Sequence, residues 1–195
     1  MPESRNIALF GGTFDPVHLG HIQIANAART AFSLDEIRFI PCQISPHKRE
    51  LQPTPTAQRL EMLEIATASF PWAVVDDFET LREGPSYSYQ TAEAMRTRFP
   101  EARLFWIMGS DQWEVMDTWT QPERIAACVE FIVFTRGSNP KPRDGYVLHV
   151  MQEAHPASAS TIRHEISKGA PTHPWLNPSV DKFVRQHRLY RAEND

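Results

Sequence analysis

Ile7-Ala8-Leu9-Phe10-Gly11-Gly12-Thr13-Phe14-Asp15-Pro16-Val17-His18-Leu19-Gly20-His21 is the stretch on which the fold turns. Four apolar residues, Ile7 to Phe10, are stopped by two glycines, which reads as a buried strand followed by a tight loop. From Val17 to Phe32 the period changes. Leu19, Ile22, Ala25 or Asn26, Arg29 and Phe32 recur at spacings of three and four, the mark of a helix. Glu36 to Cys42 is apolar again at Ile37, Phe39 and Ile40, a second strand. Strand, loop, helix, strand is a βαβ unit, which implies parallel strands joined by a right-handed crossover.

The alternation continues outward. Pro53 to Thr56 leads into a helix carrying Leu60, Leu63 and Ala66 or Thr67 on one face. Ala73 to Val75 reads as a strand, Ser86 to Phe99 as a helix, and Arg103 to Met108 as a strongly apolar strand running into Gly109-Ser110-Asp111. Pro122 suits the first turn of a helix reaching Cys128. Phe131 to Phe134 is a further buried strand, Ser138 to Gly145 a Pro- and Gly-bearing loop expected to be mobile, and Tyr146 to Met151 an edge strand. Thr161 to Lys168 forms a short helix stopped by Gly169. Asn177 caps a last helix with Pro178 at its first position, running to about His187. The expected fold class is α/β: a doubly wound, mainly parallel sheet in a single domain spanning residues 1–195, with helices at the C-terminus.

The 195 residues carry a net charge of −4 with no long basic run, which argues against a nucleic-acid footprint. Two cysteines, Cys42 and Cys128, are too few for a disulfide framework and read as buried free thiols. No apolar run approaches the roughly 18 residues of a membrane helix. No signal or transit pattern opens the chain, so the expected setting is cytoplasmic.

In open parallel sheets ligands bind beyond the carboxyl ends of the strands. Three such ends carry small or polar residues: Gly11-Gly12-Thr13, Gly109-Ser110-Asp111 and Arg136-Gly137. They are expected to meet in one crevice. Gly11 and Gly12 admit a ligand close to the backbone, and the following helix points its positive end there, so a phosphate is the natural occupant. The loop lacks the third glycine of GxGxxG and the Gly-Lys-Ser/Thr of a Walker loop. Instead His18 and His21 stand three apart at the helix start, on one face. Two histidines without a third ligand make a weak zinc site. They read better as donors to phosphate oxygens.

Other residues have two readings each. Asp111 is a functional carboxylate or a helix N-cap. Trp119 by pattern alone is core. Lys48 and Arg49 are a solvated pair or an anion site. Ser158, Ser160 and Arg163 combine capping hydroxyls with a guanidinium suited to phosphate. Asp76-Asp77 and Glu79 read as a solvated acidic loop rather than a catalytic pair.

The segment Gly11 to His21 resembles the signature of the bacterial nicotinate mononucleotide adenylyltransferase branch of the HxGH nucleotidylyltransferase superfamily. His18 stands where pantetheine-phosphate adenylyltransferases typically carry Thr. Further matches span nearly the whole chain. Pro46-His47-Lys48 resembles the family's phosphate-reaching element, and Gly84-Pro85-Ser86-Tyr87-Ser88 its nicotinate-holding segment. Gly109-Ser110-Asp111 resembles the Gly-x-Asp that takes ribose hydroxyls. Asp117-Thr118-Trp119 is similar to a motif whose tryptophan stacks on pyridine. Arg136 falls where the family keeps an ATP-side arginine, and Ser158 to Arg163 resembles the grip on the β- and γ-phosphates. Arg188-Leu189-Tyr190 looks like the family's tail. Ser88 and Ser160 replace the usual Thr, keeping the hydroxyl.

The resemblance implies a Rossmann-like nucleotidylyltransferase fold and an adenylyltransferase joining AMP from ATP to nicotinate mononucleotide, in NAD biosynthesis. It implies catalytic His18 and His21. An ATP subsite follows from Gly11, Gly12, Thr13, Phe14, His18, His21, Arg136, Ser160 and Arg163, with Lys48 and Arg163 on phosphate. The mononucleotide subsite would comprise Thr13, Lys48, Tyr87, Ser88, Asp111 and Trp119. Mg²⁺ is implied with ATP, held by phosphate oxygens and water, and no protein metal ligand. ATP and the mononucleotide are the expected partners, with no nucleic acid or membrane. The alternatives are nicotinamide mononucleotide or a cytidylyl acceptor, a dinucleotide-binding oxidoreductase, and a non-catalytic nucleotide sensor.

Overall fold

A computed structural model describes residues 5–43, 53–82, 84–135, 137, 139–152, 155–170 and 173–191. Strand β1 (Asn6–Gly12) leads through the glycine loop to helix α1 (Leu19–Phe32) and back to β2 (Glu36–Pro41). Helix α2 (Thr56–Thr67) and β3 (Ala73–Val75) repeat the step on one side. The chain then crosses through α3 (Ser88–Arg98) to β4 (Arg103–Gly109) on the other side of β1. Short helices α4 (Ser110–Glu114) and α5 (Pro122–Ala126), with a 3₁₀ turn at Met116–Thr118 between them, lead to β5 (Glu130–Thr135). Strand β6 (Leu148–Gln152) is the edge, followed by α6 (Ala159–Ser167) and α7 (Pro178–Gln186).

The six strands run in the order β3-β2-β1-β4-β5-β6, and every neighbouring pair is parallel. Because side chains alternate along a strand, each strand feeds two cores. Ala8, Phe10, Phe39, Ile107 and Phe134 point to one face, where Ala25 and Ala28 of α1, Met62 and Leu63 of α2, Ile162 of α6, and Val180 and Phe183 of α7 cover them. Ile7, Leu9, Ile40, Trp106 and Val133 point to the other, beneath Ala92 and Met95 of α3, Trp113 of α4 and Ile125 of α5. This is the doubly wound arrangement expected from the alternating elements.

The differences are local. Helix α1 starts at Leu19 rather than Val17, which makes His18 its N-cap residue. Its buried stripe is Ala25 and Ala28, whereas Asn26 and Arg29 face solvent; the small side chains let the helix lie close on the sheet. Asn177 caps α7 by accepting from the Ser179 N–H at 2.8 Å, and Gly169 ends α6 at φ +89°, both as expected. Cys42 and Cys128 are free thiols but only partly buried. The loop read as mobile is anchored in its described part. The Trp113 indole N–H donates to Lys141 O at 2.8 Å, and Arg143 donates to Trp113 O at 3.0 Å and pairs with Asp117.

Candidate active site

Strand order reverses between β1 and β4, and a cleft of about 980 Å³ opens at their carboxyl ends. That is where open α/β sheets bind ligands, and the size suits a nucleotide-scale occupant. Gly11 to Asp15 form one wall, with Cys42 and Gln43 at the end of β2 beside them. Ser86, Tyr87, Ser88 and Trp119 lie on another side, with Met108, Gly109 and Asp111 at the end of β4. Ala159 and Arg163 of α6 and the late residue Tyr190 complete it.

The two histidines do different things. His21 lines the cleft, whereas His18 is buried and stacks on it, ring centroids 3.7 Å apart. The His18 N–H donates to His21 Nδ1 at 3.2 Å. An Nδ1 that accepts leaves the ring proton on Nε2, so neutral His21 keeps a donor at its other nitrogen. Burial, reinforced by His18 and then His155, holds the His21 pKa well below the ordinary histidine value. The site therefore offers a hydrogen-bond donor without a formal charge. Phe14, at φ 49°, lays its ring edge-on to His21 at 5.0 Å between centroids. Gly20 lets the histidines approach closely, since a Cβ there would lie 3.1 Å from both His18 Nδ1 and His155 Nδ1.

The α1 terminus is less open than its dipole suggests. Leu19 N–H donates to Trp175 O at 2.8 Å, and His21 N–H to His18 O at 2.9 Å. Those two N–H groups are thus already partnered within the protein. Arg163 lines the cleft while one of its nitrogens donates to Asp15 O at 2.7 Å. Ser158 takes the N-cap position of α6, its hydroxyl 2.7 Å from that of Ser160.

Behind this wall sits Arg59, 0 % exposed. Its guanidinium donates to Thr13 O at 2.8 Å, Cys42 O at 2.8 Å, Thr54 O at 2.9 Å and the Thr56 hydroxyl at 3.0 Å. One side chain thus ties the loops after β1 and β2 to the start of α2. Asp15 does similar work: it accepts from Thr54 N–H at 3.1 Å and from the Tyr190 hydroxyl at 2.6 Å.

On the opposite side Trp119 meets Trp106 edge-on at 6.4 Å while lining the cleft, so it serves core and site together. Asp111 is exposed in the first turn of α4 and is not its N-cap, which is Gly109. A side chain at Gly109 would put Cβ 2.5 Å from Asp111 Oδ1.

Gly11, Gly12, Thr13, Phe14, His21, Tyr87, Ser88, Asp111, Trp119 and Arg163 therefore converge on one cleft. His18 stands behind His21, and Ser160 lies at the exposed start of α6, outside the lining. Lys48 and Arg136 lie outside the described residues, as does the rest of Pro46-His47-Lys48. The acidic stretch is not a solvated loop. Asp76 is 5 % and Glu79 7 % exposed; only Asp77 is open to solvent. Asp76 accepts from Arg38 at 2.7 Å, and Glu79 from the Thr91 hydroxyl at 2.6 Å. Sequence reasoning missed Arg59, although a signal existed. Arg59, Met62, Leu63 and Ala66 fall at i, i+3, i+4 and i+7, placing a cation on the apolar stripe of α2.

The fold and this cleft define a nucleotidylyltransferase-type α/β protein, and residues 9–165 match the family model described as cytidylyltransferase-like. A nicotinate-nucleotide adenylyltransferase of Bacillus subtilis is 34 % identical over 96 % of this chain and 100 % of its own length. A Shouchella clausii protein described as "Probable nicotinate-nucleotide adenylyltransferase" is 32 % identical over 98 % and 100 %. Among solved structures, Plasmodium falciparum nicotinic acid mononucleotide adenylyltransferase complexed with NaAD superposes with a TM-score of 0.79 at 18 % identity, covering 95 % of this chain and 97 % of that one. The chain belongs to the nicotinate-nucleotide adenylyltransferase family.

Proposed function

We propose that this enzyme joins the AMP moiety of ATP to nicotinate mononucleotide, releasing pyrophosphate and forming deamido-NAD. An oxygen of the mononucleotide 5′-phosphate forms the new bond to the α-phosphorus. The bond from that phosphorus to the bridging oxygen breaks, and its electron pair leaves with pyrophosphate. The attacking phosphate is already anionic near neutral pH, so positioning and charge stabilisation are the work left to the protein. The observation that carries this reading is His21 at the β1/β4 crevice: it lines the same cleft as Arg163, its Nδ1 accepts from the His18 N–H, and burial holds its pKa well below the ordinary histidine value. A neutral donor stabilises charge that develops at the α-phosphate without first forming an ion pair with the ground state.

His18 backs His21, and Arg163 binds the leaving phosphates, with Ser160, Lys48 and Arg136 assigned to the same end. Tyr87, Ser88 and Trp119 receive the pyridine ring, and Asp111 a ribose hydroxyl. Among the described residues no group of three or more His, Cys, Asp or Glu is disposed to hold a metal ion. The donors facing the phosphate end fit phosphate oxygens. Mg²⁺ would accordingly arrive on the triphosphate and neutralise the departing pyrophosphate. No helix among the described residues is long and apolar enough to cross a membrane; a cytoplasmic setting belongs to the same proposal. The test is pyrophosphate release from ATP with nicotinate mononucleotide, nicotinamide mononucleotide and no acceptor. Turnover with the acid well above the other two supports the reading. Preference for the amide, or no release with either, overturns it.

A further inference from the structure

Glu79 is a carboxylate with no part in the phosphate chemistry, yet it lines the same cleft as Ser86, Tyr87 and Ser88. It is 7 % exposed, and an acid is rarely buried so deeply without partners. Thr91 of α3, itself 1 % exposed, donates its hydroxyl to Glu79 Oε1 at 2.6 Å. The Ser86 hydroxyl bears on the same carboxylate, lowering its pKa as a donor would. Ser86 Oγ in turn accepts from the Gln43 N–H, 2.9 Å away, at the end of β2. Because that oxygen accepts from the backbone, its own proton is free to point at Glu79. With the Ser86 proton so aimed, a relay would run from the end of β2, through Ser86, to Glu79 and on to the first turn of α3.

The segment so held is the one that presents Tyr87 and Ser88 to the cleft. Gly84 stands at φ +88°, and Leu81, three residues before it, is 77 % exposed and adds no packing there, so the hydrogen bonds of Ser86 and Thr91 bear directly on how this stretch is held. We propose that Glu79 is the positioning residue of the acceptor subsite: by accepting from both Ser86 and Thr91 it sets where Tyr87 and Ser88 stand, and so governs affinity for the mononucleotide and not for ATP. Burial outweighs the two hydroxyl donors and Arg82 and leaves the carboxyl with a raised pKa, with Asp76 adding to the rise. Either protonation state still accepts hydrogen bonds, so the relay does not depend on charge. Glutamine, which keeps a carbonyl oxygen and the same length, can replace it.

The inference rests on the proposed reading that the pyridine end lies at Tyr87, Ser88 and Trp119. The experiment is steady-state kinetics with ATP and the mononucleotide varied separately, on the wild type and on Glu79→Gln, Glu79→Ala, Ser86→Ala and the double Glu79→Ala/Ser86→Ala variant. If the wild type fails to turn over, the proposed function fails before Glu79 is questioned. With an active wild type, Glu79→Ala and Ser86→Ala should each raise the mononucleotide KM about tenfold, the equivalent of losing one buried hydrogen bond. The KM for ATP should stay within about twofold. Glu79→Gln should restore the wild-type value, and the double variant should be no worse than the worse single one, since both break one relay. Equal rises in both KM values, no rise at all, or additive effects would overturn the proposal. Should Glu79→Ala fail to fold, Ser86→Ala and Glu79→Gln still decide it.

Discussion

At the scale of single residues, the site depends on groups whose hydrogen bonds fix what their remaining atoms can do. His21 is neutral because it is desolvated, and its tautomer is set by the His18 N–H. His21→Ala should lower kcat by about 10²- to 10³-fold, the usual loss for one preorganised donor. The circular dichroism spectrum should not change, and near-normal turnover would remove His21 from the chemistry. With the folded-state pKa depressed, the neutral donor is fully present above the ordinary histidine pKa and is lost only on acidification. Wild-type kcat should therefore show no His21 titration between about pH 7 and about pH 9. Arg59 illustrates what a sequence conceals. Its position on the apolar stripe of α2 was visible, but not the carbonyls of Thr13, Cys42 and Thr54, which lie on two other loops. Arg59→Met fills much of the same volume yet leaves those acceptors unsatisfied, at about 1–3 kcal/mol each. Urea denaturation should show a loss of at least about 3 kcal/mol, and a loss under about 1 kcal/mol would mean that water replaces the guanidinium.

At the scale of elements, the strands were legible because both faces of a parallel sheet are covered. Arg103 to Met108 and Phe131 to Phe134 are continuous apolar runs, and nothing but a buried strand fits them. Helix ends were legible where local chemistry decides them. Asn177 with Pro178 is such a case: the side chain that the sequence nominates as cap does accept from Ser179. Asn177→Ala should lower unfolding free energy by about 1 kcal/mol in urea titration, and no change would mean that packing alone starts α7. The acidic stretch after β3 was misread for the opposite reason. Whether Asp76 and Glu79 are solvated depends on Arg38 and Thr91, which come from β2 and α3. No local pattern reports a partner 38 residues away. The hydrogen bonds of the loop before β6 were likewise beyond the sequence, because they join Lys141 and Arg143 to Trp113 of α4, about 30 residues back.

At the scale of the whole molecule, the loop after β1 and the segment beyond the last helix meet at the site. Tyr190 lies beyond the last helix, and its hydroxyl donates to Asp15 Oδ1 across a sequence separation of 175 residues. Asp15 belongs to the loop that leads into His18 and His21, and its carbonyl also receives Arg163 of α6. The first loop, the second-last helix and the segment around Tyr190 are therefore one polar assembly. Burial first, then the Asp15 charge and its acceptance of the phenol proton, raise the Tyr190 pKa far above the ordinary tyrosine value. The sign follows from which form the fold binds. The protonated phenol is held in the folded state, so its contribution is complete below the unfolded pKa of about 10 and drains away as pH rises beyond it. Tyr190→Phe removes the donor and leaves Asp15 Oδ1 without its partner, a charge-assisted bond worth about 1.5–3 kcal/mol. The variant should melt lower than the wild type at pH 8, with the gap narrowing as both are taken above about pH 10, because only the wild type has a phenol to ionise. Thermal unfolding of the two proteins side by side from neutral to alkaline pH measures this directly. A gap that is absent at pH 8, or that widens with alkalinity, would mean that the segment around Tyr190 is held by Leu189 and α7 packing, and that the Tyr190–Asp15 bond does not hold it to the first loop.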